Sequence, residues 1–156
     1  MSNFKESSSG DHIRCSLVRA IHVGIKIAKN QYMPETKILI LDEQGFSRIC
    51  SALLRNDGHV VRSAEITDVG KALDYHDIGL IVTSYPDCTS IFNKIRKSNI
   101  PVLILADNVD ENLIKMLNNF ICSFCMVKPL DYAKFKSLVK DFMSSRFMMT
   151  EGYTVV

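Results

Sequence analysis

Apolar residues recur along most of this chain in two alternating patterns, short unbroken runs and longer stretches with a period of three to four. Short apolar runs between polar residues are typical of strands buried on both faces of a parallel sheet. Stretches with the longer period predict amphipathic helices. The first pattern predicts strands at 37–43, 59–65, 79–84, 100–107 and 123–129. The second predicts helices at 46–56, 67–75, 90–98, 110–120 and 132–143.

Strands that alternate with helices through short connections require a parallel sheet covered on both faces, because right-handed crossovers place the helices there. We therefore predict an α/β fold, a flavodoxin-like (βα)5 doubly wound sheet with strand order 2-1-3-4-5. In such a sheet a site is expected in the crevice at the carboxyl ends of strands one and three.

The chain divides into three predicted segments. Residues 1–35 hold a polar tail and a basic amphipathic helix over 13–29, which Pro34 terminates. This additional helix is expected to pack on the domain or on a second copy, because its apolar residues would otherwise form an exposed patch. Residues 36–145 form the α/β domain, and residues 146–156 are predicted to be a C-terminal tail.

Composition excludes several classes of protein. The chain has 156 residues, 47% of them hydrophobic, and a formal net charge of +2, which favours one compact domain without strong attraction to nucleic acid. The apolar runs are far shorter than the ~20 residues that span a bilayer. The N-terminus does not resemble a secretory signal. Five cysteines without framework spacing favour a reducing compartment, so we predict a cytoplasmic protein.

Polar residues follow the predicted strands at the edge of the sheet where a site is expected. Asp42 and Glu43 follow strand one, and the sequence GLIVTSYP covers strand three and its exit. Strand four ends in PVLILAD and strand five in MVKP, which contains Lys128. In this order and spacing, KILILDE, GLIVTSYP, PVLILAD and MVKP resemble the receiver domain of two-component response regulators over about residues 36–145.

The resemblance implies a role for each matching position. Asp42 and Glu43 match the acidic pair that binds a divalent cation, and Lys128 matches the lysine that contacts the phosphoryl group. Three positions depart from the family pattern. Counted back from Pro86, the acceptor aspartate is replaced by Val82, the relay hydroxyl by Ala106 and the switch aromatic by Cys125.

A valine cannot accept a phosphoryl group, because phosphoryl transfer needs an oxygen nucleophile. The neighbouring hydroxyls of Thr83 and Ser84 are poor substitutes, since successive strand residues face opposite sides and hydroxyls lack acyl-phosphate chemistry. We therefore expect a degenerate receiver without a cofactor. Asp42 and Glu43 would hold Mg²⁺ only weakly, and ion pairs with Lys128 are the expected structural role of this acidic pocket.

The expected function is that of a non-enzymatic signalling module that acts through protein–protein contact. The resemblance points to the surface formed by the fourth helix, fifth strand and fifth helix, around residues 110–119 and 131–143, as the partner face. The N-terminal helix is a second candidate surface, and a homodimer is possible through either. No nucleic acid or membrane is expected as a partner.

Two alternatives stay open. Cys122 and Cys125 have the spacing of a thiol redox or metal half-site, although three residues apart on a strand they face opposite sides. A redox or metal sensor on the same fold is thus one alternative. The other is a small flavodoxin-like ligand-binding protein, for which LDEQGFS offers one glycine and two acids where a phosphate would sit.

Overall fold

The computed structural model of the protein describes residues 36–144 and, further along, the backbone of residues 152–155 with the side chain of Val155. The described residues belong to one compact unit, Pro34–Val156. The predicted polar tail and basic helix of residues 1–35 lie outside the described residues.

The structure is a parallel sheet with helices on both faces. Its strands are β1 (Lys37–Leu41), β2 (Val61–Ala64), β3 (Ile78–Tyr85), β4 (Val102–Ala106), β5 (Cys122–Val127) and β6 (Gly152–Val155). Its helices are α1 (Gln44–Asn56), α2 (Val69–Leu73), α3 (Phe92–Ser98), α4 (Glu111–Leu117) and α5 (Tyr132–Met143). Short 3₁₀ helices at Ile66–Asp68 and Asp87–Ile91 precede α2 and α3.

The strand order is β2-β1-β3-β4-β5-β6, and every neighbouring pair is parallel. The first five strands have the predicted order 2-1-3-4-5, so the flavodoxin-like fold is confirmed. The sixth strand was not predicted. It lies in the segment expected to be a C-terminal tail, where four strand residues are too few to give a clear periodic pattern.

Each face of the sheet has its own apolar core. Ile38, Ile40 and Val82 face one core, which α1 and α5 cover through residues such as Leu54 and Phe135. The alternate strand residues face the other core, which α2, α3 and α4 cover; they include Leu39, Leu41, Ile81 and Ile104. Because both faces are covered, the strands are apolar on both sides, as in parallel sheets generally.

Two aspartates fix the starts of the last two helices. The Asp110 carboxylate accepts a hydrogen bond from the Leu113 backbone N–H at 2.7 Å, and Asp131 accepts from Ala133 and Lys134 at 3.0 and 3.1 Å. These bonds satisfy N–H groups that the first helical turn leaves unpaired. Both helices therefore begin one short connection after the carboxyl ends of β4 and β5, next to the predicted crevice.

Truncation of the fully buried Phe135 side chain should show how far the α5 side of the core supports the fold. Phe135→Ala removes a ring from a close-packed core, so the free energy of unfolding should fall by about 3–5 kcal/mol in urea denaturation. The exposed neighbour Lys134→Ala is the matched control and should change it by less than about 0.5 kcal/mol. Equal losses in both variants would contradict the observed packing of α5.

Candidate functional site

The carboxyl ends of β1 and β3 bring an acid and a hydroxyl together. The register pairs Leu41 with Thr83, so Asp42 and Ser84 follow side by side. The Ser84 Oγ donates to Asp42 Oδ2 at 2.5 Å, and the Glu43 backbone N–H donates to Asp42 Oδ1 at 2.8 Å. Both side chains are buried, with 3% and 4% of their surface exposed. Each carboxylate oxygen of Asp42 therefore already has a partner inside the protein.

Val82 does not reach this site. It pairs with Ile40, is fully buried and packs in the core beneath α1 and α5. Ser84 is two residues further along β3 and so faces the same side of the sheet as Val82. Alternation along the strand turns the Thr83 side chain away from this side but keeps Ser84 on it. At the end of β3, the residue beside Asp42 is Ser84.

Thr83 faces the other side of β3, and its hydroxyl is already in use. The buried Thr83 Oγ1 donates to the Leu41 backbone carbonyl at 2.7 Å. This bond ties β3 to β1 one residue before the Asp42–Ser84 contact. Thr83 thus supports the site and does not line it.

The predicted acidic pair is divided between two environments. Asp42 is buried, whereas Glu43 is exposed and precedes the first residue of α1. The Ser47 hydroxyl donates to the Asp42 backbone carbonyl at 3.2 Å and holds the turn into α1. Only one acid of the pair is therefore fixed in the crevice.

Lys128 lies at the same edge of the sheet but does not join the two acids. Within residues 36–144, its ion-pair partner is Asp107, whose Oδ1 lies 4.0 Å from Nζ. The Nζ atom also lies 5.5 Å from the centre of the Phe46 ring. The expected ion pair of Lys128 with Asp42 or Glu43 is absent from the described structure, and Ser84 takes that place at Asp42.

The two positions matched to the receiver relay are apolar and buried. Ala106 ends β4 and Cys125 lies in β5, and both belong to the core beneath α2, α3 and α4. Neither offers an oxygen that could respond to a phosphoryl group.

Tyr85 is a residue of the site that the sequence reasoning missed. Its phenol donates to the Asp110 carboxylate, with oxygen distances of 3.1 and 3.2 Å. Desolvation, and then this hydrogen bond, raise the pKa of Tyr85. Because Asp110 also caps α4, Tyr85 joins the end of β3 to the start of α4. An aromatic directly after the predicted strand 79–84 was the sequence signal for this link.

The crevice offers few ligands to a metal ion. In the part of the chain that the structure describes, no three His, Cys, Asp or Glu side chains group together as a metal-binding set. Magnesium prefers several oxygen ligands in near-octahedral geometry. Here Asp42 uses both oxygens in hydrogen bonds, and Glu43 is exposed.

The cysteines of β5 do not form a pair. Cys122 belongs to the core beneath α1 and α5, whereas Cys125 belongs to the core on the opposite face. Burial raises the pKa of both thiols. Burial, as the largest cause, also raises the pKa of Cys50 and Cys88 to about 12. A thiol kept protonated and buried is a poor nucleophile, so this arrangement gives no support to a redox site.

Comparison with known proteins identifies the fold. No protein-family model matches the chain, and no curated protein matches it in sequence. Among the described residues, no helix is long and apolar enough to cross a membrane. Solved structures do match: a two-component response regulator from Clostridium difficile superimposes with a TM-score of 0.62 and 20% identity, covering 71% of this chain and 98% of its own.

Two further solved structures agree. The CheY-like receiver domain protein from Methanospirillum hungatei JF-1 has a TM-score of 0.61 and 14% identity, covering 71% of this chain and 95% of its own. An orphan response regulator of H. pylori has a TM-score of 0.58 and 15% identity, covering 69% of this chain and 96% of its own. The described domain therefore has the fold of response-regulator receiver domains.

The burial of the thiols predicts their reactivity. In the native protein, Cys50, Cys88, Cys122 and Cys125 should fail to react with Ellman's reagent at pH 8, because burial keeps them protonated and inaccessible. All should react after denaturation. Rapid labelling of Cys122 and Cys125 in the folded protein, located by peptide mass spectrometry, would revive the redox alternative.

Proposed function

We propose that this protein is a receiver-like signalling module that acts through protein–protein contact, without aspartyl phosphorylation and without enzymatic activity. The observation that carries the proposal is the contact of Ser84 with Asp42. The resemblance to receivers places an acceptor aspartate at the end of the third strand. In this proposal the equivalent position is Ser84, which contacts Asp42, instead of the predicted Val82.

The chemistry of Ser84 supports a module without a phosphoryl signal. A serine could give only a phosphate ester, which lacks the reactive acyl phosphate of receivers. Its hydroxyl is buried and already donates to Asp42. In-line attack on a donor needs an exposed oxygen and a bridging cation. Neither requirement is met by the arrangement of Ser84 and Asp42.

No cofactor is part of this proposal. Replacing the acceptor carboxylate by a hydroxyl removes one anionic ligand from the oxygen-rich site, which lowers its affinity for Mg²⁺. Opening Asp42 to a cation would also break its bonds with Ser84 and Glu43. Any magnesium binding by Asp42 and Glu43 is therefore expected to be weak.

The proposed partner is another protein, bound on the side of the domain formed by α4, β5 and α5, where β6 pairs with β5. Seven large apolar residues are well exposed in the described structure, and four of them lie in or beside α4, β5 and α5; these are Val109, Ile121, Val127 and Tyr132. Ile121 precedes the amino end of β5, and the other three lie near the carboxyl ends of β4 and β5. Exposed apolar surface marks a protein interaction site where it is contiguous. The link from Tyr85 to Asp110 holds α4 in place on this side.

A cytoplasmic location belongs to the same proposal. The four described cysteines are free and buried as thiols. Free thiols of this kind suit a reducing compartment.

Treatment with a small phosphoryl donor tests the central claim. After incubation with acetyl phosphate and Mg²⁺, the intact mass of the protein should not change, because Ser84 is buried and bonded. Millimolar Mg²⁺ alone should leave the melting temperature nearly constant, since stabilisation follows RT ln(1 + [L]/Kd). A stable adduct of one phosphoryl group would refute the proposal.

Two aspartate variants test which residue occupies the acceptor position. Ser84→Asp places a second carboxylate beside Asp42, so the variant should be less stable alone, and Mg²⁺ should raise its melting temperature by several degrees. The matched control, Val82→Asp, buries a charge in the core and should lose about 3 kcal/mol or more of stability without a magnesium response. The opposite pattern would return the acceptor position to Val82.

A further inference from the structure

β6 forms one edge of the sheet, and it pairs in parallel with β5 from Cys122–Gly152 to Cys125–Val155. In the described part of the chain, no strand lies on its other side. An edge strand presents unpaired backbone N–H and C=O groups that can pair with another chain.

The hydrogen bonds of the sheet show which backbone groups of β6 point outward. The Lys128 N–H donates to the Ala106 carbonyl of β4. The backbone N–H and C=O groups of even-numbered residues at this end of β5 therefore point toward β4. Those of odd-numbered residues, including Cys125, point toward β6. In a parallel pair of strands, only one of two aligned residues directs its backbone groups toward the other strand. Of the aligned residues Ile38 and Val61, for example, Ile38 does so and donates to the Val60 carbonyl. Val155, aligned with Cys125, and likewise Tyr153 therefore direct their N–H and C=O groups to the open edge.

The opposite edge of the sheet is protected. Val61 of β2 is aligned with Ile38 and directs its carbonyl away from β1, and the Arg55 guanidinium donates to that carbonyl at 3.0 Å. Arg62 adds a charge to the same short strand. Charged residues and occupied edge groups are the usual protection against pairing. β6, with the sequence Gly-Tyr-Thr-Val, has neither charge nor proline.

We infer that β6 is the contact through which two copies of this chain associate, edge to edge and antiparallel, into one continuous sheet. A two-fold axis at Thr154 sets Tyr153 of one copy opposite Val155 of the other. Such directly opposed residues exchange both of their N–H···O bonds, and these are the groups that face the open edge.

The residues of β6 suit pairing with an identical strand. The sequence of β6, Gly-Tyr-Thr-Val, is uncharged. No like charges meet. Val155 is 43% exposed and lies on the same face of the sheet as Val127, which is 37% exposed, so association would bury apolar surface there.

This inference does not depend on the proposed signalling function and can be tested separately. In sedimentation analysis of the full chain, the mass should approach twice 17.6 kDa at high micromolar concentration and fall on dilution. Val155→Pro removes a backbone N–H that points to the open edge but removes no hydrogen bond to β5. The variant should therefore sediment with the mass of one chain, with little change in melting temperature. The matched control Val155→Thr keeps the N–H and shape and should remain dimeric.

Amide hydrogen exchange of the unmodified chain gives a second test that needs no variant. The Tyr153 and Val155 amides should exchange several-fold more slowly at high protein concentration, whereas Thr154, which faces β5, should be protected at every concentration. A chain that stays monomeric throughout, with Tyr153 and Val155 protected independently of concentration, would overturn the inference and assign the edge to another segment of the same chain. A dimer that survives Val155→Pro would also overturn it.

Discussion

The parallel pairing of β1 with β3 determines what the crevice of this protein can do. Both strands are buried on both faces, so a slip of one residue would exchange the side chains that face the two cores. Leu41 therefore pairs with Thr83, and the Thr83 hydroxyl bound to the Leu41 carbonyl reinforces that register. With the register fixed, Asp42 and Ser84 have to meet at the carboxyl ends.

A buried carboxylate is costly unless its oxygens are paired, and here the pairing is internal. Asp42 accepts one bond from Ser84 and one from the Glu43 backbone. Hydrogen bonds to a charged group each contribute about 1.5–3 kcal/mol, so the site is satisfied without a cation. Receivers, in the resemblance, need a metal because carboxylates converge at this point. In the proposed module, a hydroxyl at Ser84 in place of one of them removes the repulsion that a metal would offset.

The fold could be predicted from the sequence more fully than the site. Unbroken apolar runs identify strands covered on both faces, and their alternation with helices leaves few topologies. The acceptor position was counted back from Pro86. That count assumes how many residues separate the end of the third strand from the proline, which the sequence does not show. A shift of two residues keeps the same face of the strand, so periodicity could not reveal that Ser84, and not Val82, meets Asp42.

Side-chain direction was the second limit on prediction. The sequence places Lys128 at the correct edge of the sheet, but a long flexible side chain can turn several ways, and its ion pair is with Asp107, beside the Phe46 ring. β6 was missed for a different reason. Its strand character depends on the open edge of β5, which is a tertiary feature and leaves little trace in four residues.

In the proposed module, the link between Tyr85 and Asp110 is what keeps the α4 surface defined without a phosphoryl signal. The positions matched to the relay, Ala106 and Cys125, are apolar and buried and have no second hydrogen-bonded arrangement to adopt. The Tyr85 phenol, whose pKa is raised by desolvation, stays protonated at neutral pH and continues to donate to Asp110. Because Asp110 caps α4, the end of β3 holds that helix in one position. In the proposed module, no covalent change at the crevice is needed to set the position of α4. Signalling would then depend on the amount of the protein and on the partner that it binds.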